Sequence, residues 1–172
     1  DEKEGMRMGV RFTAPTDRAT TWELATSDYS EIGEMVPGLR DLRYIEDTPQ
    51  RQVIELDIKI LWVELTLTFE IERQPPDALR FRLVNEKIGQ YIAVYRLSEP
   101  TGAITSMEPA VTQVELSAWL MPARPVPMGM LATAERMIFL RTAREFLKAC
   151  EARYLEDFPN GPPKPEKPPG YF

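Results

Sequence analysis

The sequence predicts an α+β fold: a curved antiparallel sheet of about seven strands, two short helices after the first strand, and a long C-terminal helix packed on the concave face. Three observations carry this expectation. Between residues 39 and 121 apolar side chains recur at alternate positions, the period of strands with one buried face. After a block containing Pro122, Pro125 and Pro127, which excludes helix, residues 128–154 run about 27 positions without proline. At 1.5 Å per residue that is a helix of roughly 40 Å. A one-sided sheet needs a cover, and no other segment is long enough to supply one.

Taken in order, residues 1–5 are charged, and 6–14 alternate with Met8, Val10 and Phe12 on one face. Pro15 ends this strand. Thr16 or Asp17 caps a short helix to residue 26 that carries Trp22 and Leu24, and Asp28 caps a second with Ile32, Met35 and Val36. Pro37-Gly38 stops the chain sharply. Residues 39–46 form the next strand, and in 52–60 the side chains of Ile54, Leu56, Ile58 and Ile60 oppose Glu55, Asp57 and Lys59. At Leu61 the phase reverses, so that Leu61, Val63, Leu65, Leu67, Phe69 and Ile71 form the apolar set. A one-residue slip turns every side chain over, and a turn or bulge is therefore expected at 60–62. Pro75-Pro76-Asp77 closes that strand. Leu79, Phe81 and Leu83 then alternate with Arg80 and Arg82, and strands at 88–97 and 111–121 flank a loop at 98–109.

Composition removes several functions. The chain has 172 residues, enough for one domain with a full core. Its formal net charge is -6 and it has no strongly basic window, which argues against nucleic acid or an anionic membrane as the main partner. There is no histidine and only one cysteine, Cys150. Histidine triads, histidine metal sites, disulfides and CxxC chemistry are all excluded, and no metal or cofactor is expected. No apolar run reaches membrane-spanning length. The start at Asp1 is expected to reflect processing or trimming: a periplasmic location if a signal peptide was removed, otherwise a cytoplasmic one. Residues 158–172 hold six prolines, which separates an extended tail from a domain at 1–157.

The long helix carries more apolar surface than one contact line needs. Met128, Leu131, Ile138, Phe146 and Ala149 lie near one stripe, and Met130, Met137, Leu140 and Leu147 lie beside it. A helix of this kind can lid a cavity. Its methionines either line an adaptable pocket or fill gaps in a packed core. Arg136, Arg141, Arg144 and Arg153 read as its solvated face, and Cys150 as a small buried hydrophobe. Trp22, Trp62 and Trp119 read as structural, with the parity of Trp119 opposite to Leu116, Ala118 and Leu120.

The order strand, two short helices, meander and long C-terminal helix resembles the helix-grip fold of the START-like (SRPBCC) superfamily of polyketide cyclases/dehydrases and lipid transport proteins. Within it, Trp22-Glu23-Leu24, Asp28-Tyr29-Ser30-Glu31-Ile32 and Met35-Val36-Pro37-Gly38-Leu39-Arg40-Asp41 are similar to the paired helices and cavity gate of a bacterial branch. Leu79-Arg80-Phe81-Arg82-Leu83-Val84 and Tyr91-Ile92-Ala93-Val94-Tyr95 resemble two of its strands, with Ala93 and Tyr95 where that pattern often has Gly and Trp. The resemblance spans residues 8–154.

It implies one hydrophobic cavity between the helix and the sheet, filled by an apolar small molecule: a sterol-like lipid, a quinone or an acyl chain, held for transport or sequestration. The lining residues expected are Met35, Leu39, Leu65, Leu67, Phe69, Phe81, Tyr91, Tyr95, Leu116, Met128, Leu131, Glu135 and Ile138. Tyr91 and Tyr95 either present hydroxyls to a ligand or pack with the hydroxyl at the rim. Glu135 either meets a ligand hydroxyl or pairs on the surface. No catalytic residue is assigned. The alternative is a polyketide cyclase or aromatase using the same cavity, against which the lack of histidine and the scarcity of inward polar strand residues weigh. Nucleic acid is not an expected partner, whereas a transient membrane or protein contact is compatible with the sequence.

Overall fold

The computed structural model describes residues 5–27, 38–60, 62–85, 89–100, 110–123 and 128–161. Its elements are β1 (Met6–Ala14), α1 (Arg18–Ala25), β2 (Leu39–Asp47), β3 (Arg51–Ile60), β4 (Val63–Gln74), β5 (Ala78–Leu83), β6 (Gly89–Ser98), β7 (Thr112–Pro122) and α2 (Met128–Asp157). The second short helix expected near 28–36 and the loop near 101–109 lie outside the described residues.

The seven strands form one antiparallel sheet in the order β1-β7-β6-β5-β4-β3-β2. The meander β2 to β7 is joined at its far edge by the first strand. The phase reversal at residue 61 is a hairpin: Ile60 pairs with Val63, and β3 and β4 stay in register back to Arg51 and Glu72. Two irregularities in β2, between Leu39 and Asp41 and between Tyr44 and Glu46, bend that edge. Gly38 leads into it at φ 84°, where a Cβ would lie 2.2 Å from the Lys59 carbonyl oxygen, so only glycine fits both the dihedral and the space.

α1 starts on an Asp17 cap whose carboxylate accepts from the Thr20 N–H at 2.7 Å. The turn before it is held by buried threonines. Thr16 and Thr21 share a 2.7 Å hydroxyl bond, and the Thr112 hydroxyl donates to the Thr16 carbonyl at 2.8 Å, tying β1, α1 and β7 at one end of the sheet.

Among the described side chains of α2, Phe139, Ala143 and Cys150 are buried, with Phe146 partly buried between them. Of the stripe read in the sequence Phe146 is partly buried but Ala149 is exposed, and Met137 of the set beside it is 68% exposed. The i, i+4, i+7, i+11 spacing of 139, 143, 146 and 150 follows the helical period closely. Arg136, Arg141 and Arg144 are exposed, and Arg153 pairs with Glu23 and Asp157. Burial pushes the Cys150 thiol up in pKa, against a hydrogen bond with Thr16 that lowers it.

The other face of the sheet carries a ladder of ion pairs. Arg43 joins Asp41, Glu55 and Asp57, and Arg51 and Arg82 both reach Glu70. Arg43 and the Thr66 hydroxyl hold the Asp57 carboxyl below its ordinary value of 3.8, and Arg51 and Arg82 hold Glu70 below 4.5. Lowered folded values mean that this stabilisation is complete above those ordinary values. It is lost as pH falls through the lowered ones. Melting temperature should therefore drop as pH is taken below about 4, and Arg51→Gln should flatten the part of that drop due to Glu70. An unchanged acid profile in the variant would show that Glu70 does not carry it.

Candidate functional site: the concave face of the sheet

Strand register assembles the site. Leu39, Ile58 and Leu65 lie in one row across β2, β3 and β4, and Leu42, Leu56 and Leu67 in the next. Tyr44, Ile54, Phe69 and Leu83 form a third row. Ile71, Phe81, Ala93, Ala118 and Met8 cross from β4 to β1. Leu79, Tyr95, Leu116 and Val10 form another row, and Tyr91 stands beside Leu120 and Met6. All eight strand positions expected to line a cavity thus share one face, because a period of two preserves parity along every strand. Trp119 pairs with Ile92 and Arg7 and has the opposite parity.

Their depths differ. Ile71 and Leu116 are 0% exposed, and Leu79 is 2% exposed. Between these, Leu39, Leu65, Leu67, Phe69, Phe81, Tyr91 and Tyr95 are only half-buried although most belong to the central strands. Leu116, enclosed on every side, supports the face and presents no surface to a ligand. The aromatic rings cluster: Phe81 and Tyr95 lie 5.2 Å apart, and Phe69 meets Tyr91 edge-on at 6.0 Å. Phe69 and Tyr91 belong to β4 and β6, whose backbones stand about 9.6 Å apart with β5 between them. The two rings lean toward each other over the intervening strand, as a concave face favours.

Two apolar clusters cover this face. One joins β1, β6 and β7 to Phe139, Ala143 and Cys150 of α2, and the other joins β3, β4 and β5 to Ala25 of α1. Trp22, Phe81, Tyr95 and Phe146 pack against both. Among the half-buried residues of this face, Phe81 and Tyr95 bridge the two clusters, Leu39, Leu67 and Phe69 pack against the second, and Tyr91 packs against the first.

One polar corner on this face was not singled out from the sequence. Gln52 is 3% exposed and its Nε2 donates to Asp47 Oδ1 at 3.3 Å. Arg73 donates to the Thr48 carbonyl at 3.0 Å and stands 3.6 Å from the same Asp47 oxygen. Gln52 Oε1 and Arg73 Nε are buried without a hydrogen-bond partner. The signal was present, since Gln52 shares the parity of Ile54 and Arg73 that of Ile71, but both positions stand at strand ends where parity is easily discounted.

Met35 lies outside the described residues. So do the side chains of Met128, Leu131, Glu135 and Ile138, whose backbone belongs to the first half of α2. Trp62, read as structural, is 83% exposed. Two depressions bounded by described residues lie at the other end of α2. One, about 70 Å³, is lined by residues including Thr16, Asp17, Tyr154 and Phe158. The second, about 430 Å³ and open, is lined by Thr13, Pro15, Leu147, Glu151, Tyr154 and Leu155. Neither borders the half-buried aromatic cluster. No helix among the described residues is long and apolar enough to cross a membrane.

No protein-family model matches the chain, and comparison with curated proteins finds no match. Solved structures do match. The Zhui aromatase/cyclase from Streptomyces sp. R1128 superposes with a TM-score of 0.67 at 14% identity, covering 87% of this chain and 95% of its own. A START superfamily protein from Mycobacterium smegmatis gives 0.63 at 13%, covering 86% and 98%. Ara h 8.0201 gives 0.58 at 12%, covering 88% and 99%. With its seven-stranded sheet curved toward a long C-terminal helix, the chain has the helix-grip fold of the START-like superfamily.

Proposed function

We propose that the chain binds a hydrophobic small molecule of the lipid class, such as a sterol-like compound, a quinone or an acyl chain, in a lumen between α2 and the concave face, for transport or sequestration. The observation that carries this reading is the half-buried apolar surface at the centre of the sheet. Its neighbours Ile71, Leu79 and Leu116 are closed off, whereas Leu67, Phe69, Phe81, Tyr91 and Tyr95 keep accessible faces. Central apolar side chains left open in a domain of this size favour a ligand as the missing contact. Leu39 and Leu65 extend the surface toward the β3–β4 end, and Met35, Met128, Leu131, Glu135 and Ile138 are the proposed remainder of the lining. Burying an alkyl chain contributes about 0.8 kcal/mol per CH2, so ten such groups give roughly 8 kcal/mol before entropy losses, enough for binding with no catalytic group.

A second reading, a polyketide cyclase or aromatase, is favoured by three of the matching structures being aromatase/cyclases. The tyrosines and the Gln52–Arg73 corner would then steer a reactive chain. Mass spectrometry under non-denaturing conditions, before and after organic extraction, tests the first reading. The protein should carry a noncovalent apolar molecule, and the extracted protein should take up a fluorescent naphthalene probe that fatty acid or sterol displaces. A clean apo mass with no probe uptake counts against it.

A further inference from the structure

Strand register builds a basic patch that no stretch of the sequence shows. On the face of the sheet opposite the apolar clusters, one row across β5, β6, β7 and β1 reads Arg82, Ile92, Trp119, Arg7. The next reads Arg80, Val94, Ser117, Gly9, and the third brings Arg96, Glu115 and Arg11 together. Ile92, Val94 and Trp119 are half-buried neighbours, and the five arginines around them are exposed. Glu115 is the one acid in these rows. Across β2, β3 and β4 the same face is predominantly acidic, and its arginines are already committed: Arg43 to Asp41, Glu55 and Asp57, Arg51 to Glu46 and Glu70. One face is thus split into an acidic half and a basic half, in a chain whose net charge is -6.

Charge, composition and size narrow the partner. Arg11 pairs with Glu115 at 3.1 Å, and Arg82 and Arg80 reach Glu70 and Glu72 at the border with the acidic half. Arg7 and Arg96 make no ion pair among the described residues, although Arg96 stands opposite Glu115 in register. Every cation of the patch is an arginine, whose planar fork takes a carboxylate by two parallel bonds. A tryptophan at an apolar centre with arginines around it is the composition of protein–protein contact cores. The patch measures about 14 Å across four strands and about 13 Å along three rows, the span of a few extended residues. That is too short for the repeated phosphate contacts of a nucleic acid, and the acidic half beside it repels a long polyanion or an anionic bilayer. A second copy fits poorly, because its acidic half is held by its own arginines and two convex faces meet over little area.

We propose that the outer face of β5, β6, β7 and β1 is a docking surface for an acidic segment of a partner protein, one that carries an apolar side chain between its carboxylates. The apolar side chain rests on Ile92, Val94 and Trp119, and the flanking carboxylates meet Arg7 on one side and Arg96 on the other. This surface lies on the opposite side of the sheet from the lumen, so the proposal does not rest on the ligand-binding reading.

The test is fluorescence anisotropy of the full chain with a fluorescein-labelled hexapeptide, two glutamates on each side of a Leu-Phe centre. The wild type should bind it, more weakly as salt is raised. The double variant Arg7→Gln/Arg96→Gln should lose at least about tenfold in affinity. Its melting temperature should be unchanged, because neither arginine is ion-paired in the fold. Lys59→Gln, on the acidic half, should bind as wild type does. A hexapeptide of glutamate alone should bind at least about fivefold more weakly, since it lacks the apolar anchor. The proposal is overturned if the peptide does not bind at low salt, if the double variant binds equally, or if the all-glutamate peptide binds as tightly. It is also overturned if a single-stranded oligonucleotide or phosphatidylserine vesicles bind more tightly than the peptide through the same two arginines. A dimer of the wild type that the double variant converts to monomer would make the patch a contact between copies and overturn it as well.

Discussion

Leu67→Glu should abolish uptake of the naphthalene probe, weakening it at least about 100-fold, or roughly 2.7 kcal/mol. Leu67 is half-buried on the concave face, opposite the buried Leu56 and two residues from Phe69. A carboxylate here would lie against apolar side chains with no cation in its own row. Burying it charged is costly, so it would either take up a proton or pull solvent into the lumen. Both outcomes destroy an apolar site. Leu67→Met, which keeps volume and polarity close to the original, should cost less than about 1.5 kcal/mol in stability and leave uptake intact. Fluorescence titration of both variants, with melting curves to confirm folding, decides the matter. Wild-type affinity in a folded Leu67→Glu protein would place the ligand elsewhere.

The second large effect is on stability. Ile71→Ala should cost about 2–5 kcal/mol and Ile71→Val about 0.5–1.5 kcal/mol. Ile71 is 0% exposed and pairs with Gln52 on one side and Phe81 on the other, within the second apolar cluster. Truncation leaves a void that the hydrogen-bonded strands on both sides cannot close. The loss should appear as a lower urea midpoint at unchanged slope. A cost below about 1 kcal/mol would mean that the neighbouring half-buried rings collapse into the space, and hence that the lumen is deformable.

These two positions also show how differently fold and site are written in the chain. The alternation through Leu65, Leu67, Phe69 and Ile71, and through Leu79, Phe81 and Leu83, is enough to assign a common face, since parity is a local property of the strand. The turn at 61–62 was legible for the same reason, from a phase reversal with no turn former present. Depth was not legible. Leu116 and Tyr95 pair directly and look equally inward in sequence, yet one is fully enclosed and the other keeps an accessible face. The difference depends on which covering residue stands above each, and that is set by the path of α2.

The helix itself illustrates the limit. Its existence and approximate start follow from the prolines that precede it. The buried line among its described side chains, through Phe139, Ala143, Phe146 and Cys150, does not, because Ala149 and Met137 fit an apolar pattern equally well and the structure turns both outward. Trp62 was misread in a similar way: apolar character argues for a structural role, but at the hairpin turn its side chain is 83% exposed.

By itself, then, the sequence determined the seven strands, the first short helix and the long helix, the parity of each strand and the fold class, because these rest on interactions between residues close along the chain. Only the tertiary structure decided which apolar residues are closed off, which keep an accessible face, and that the corner at Gln52 and Arg73 lies on the same face. Those outcomes depend on strand register and on where α1 and α2 sit over the sheet, contacts between distant segments that local periodicity does not encode.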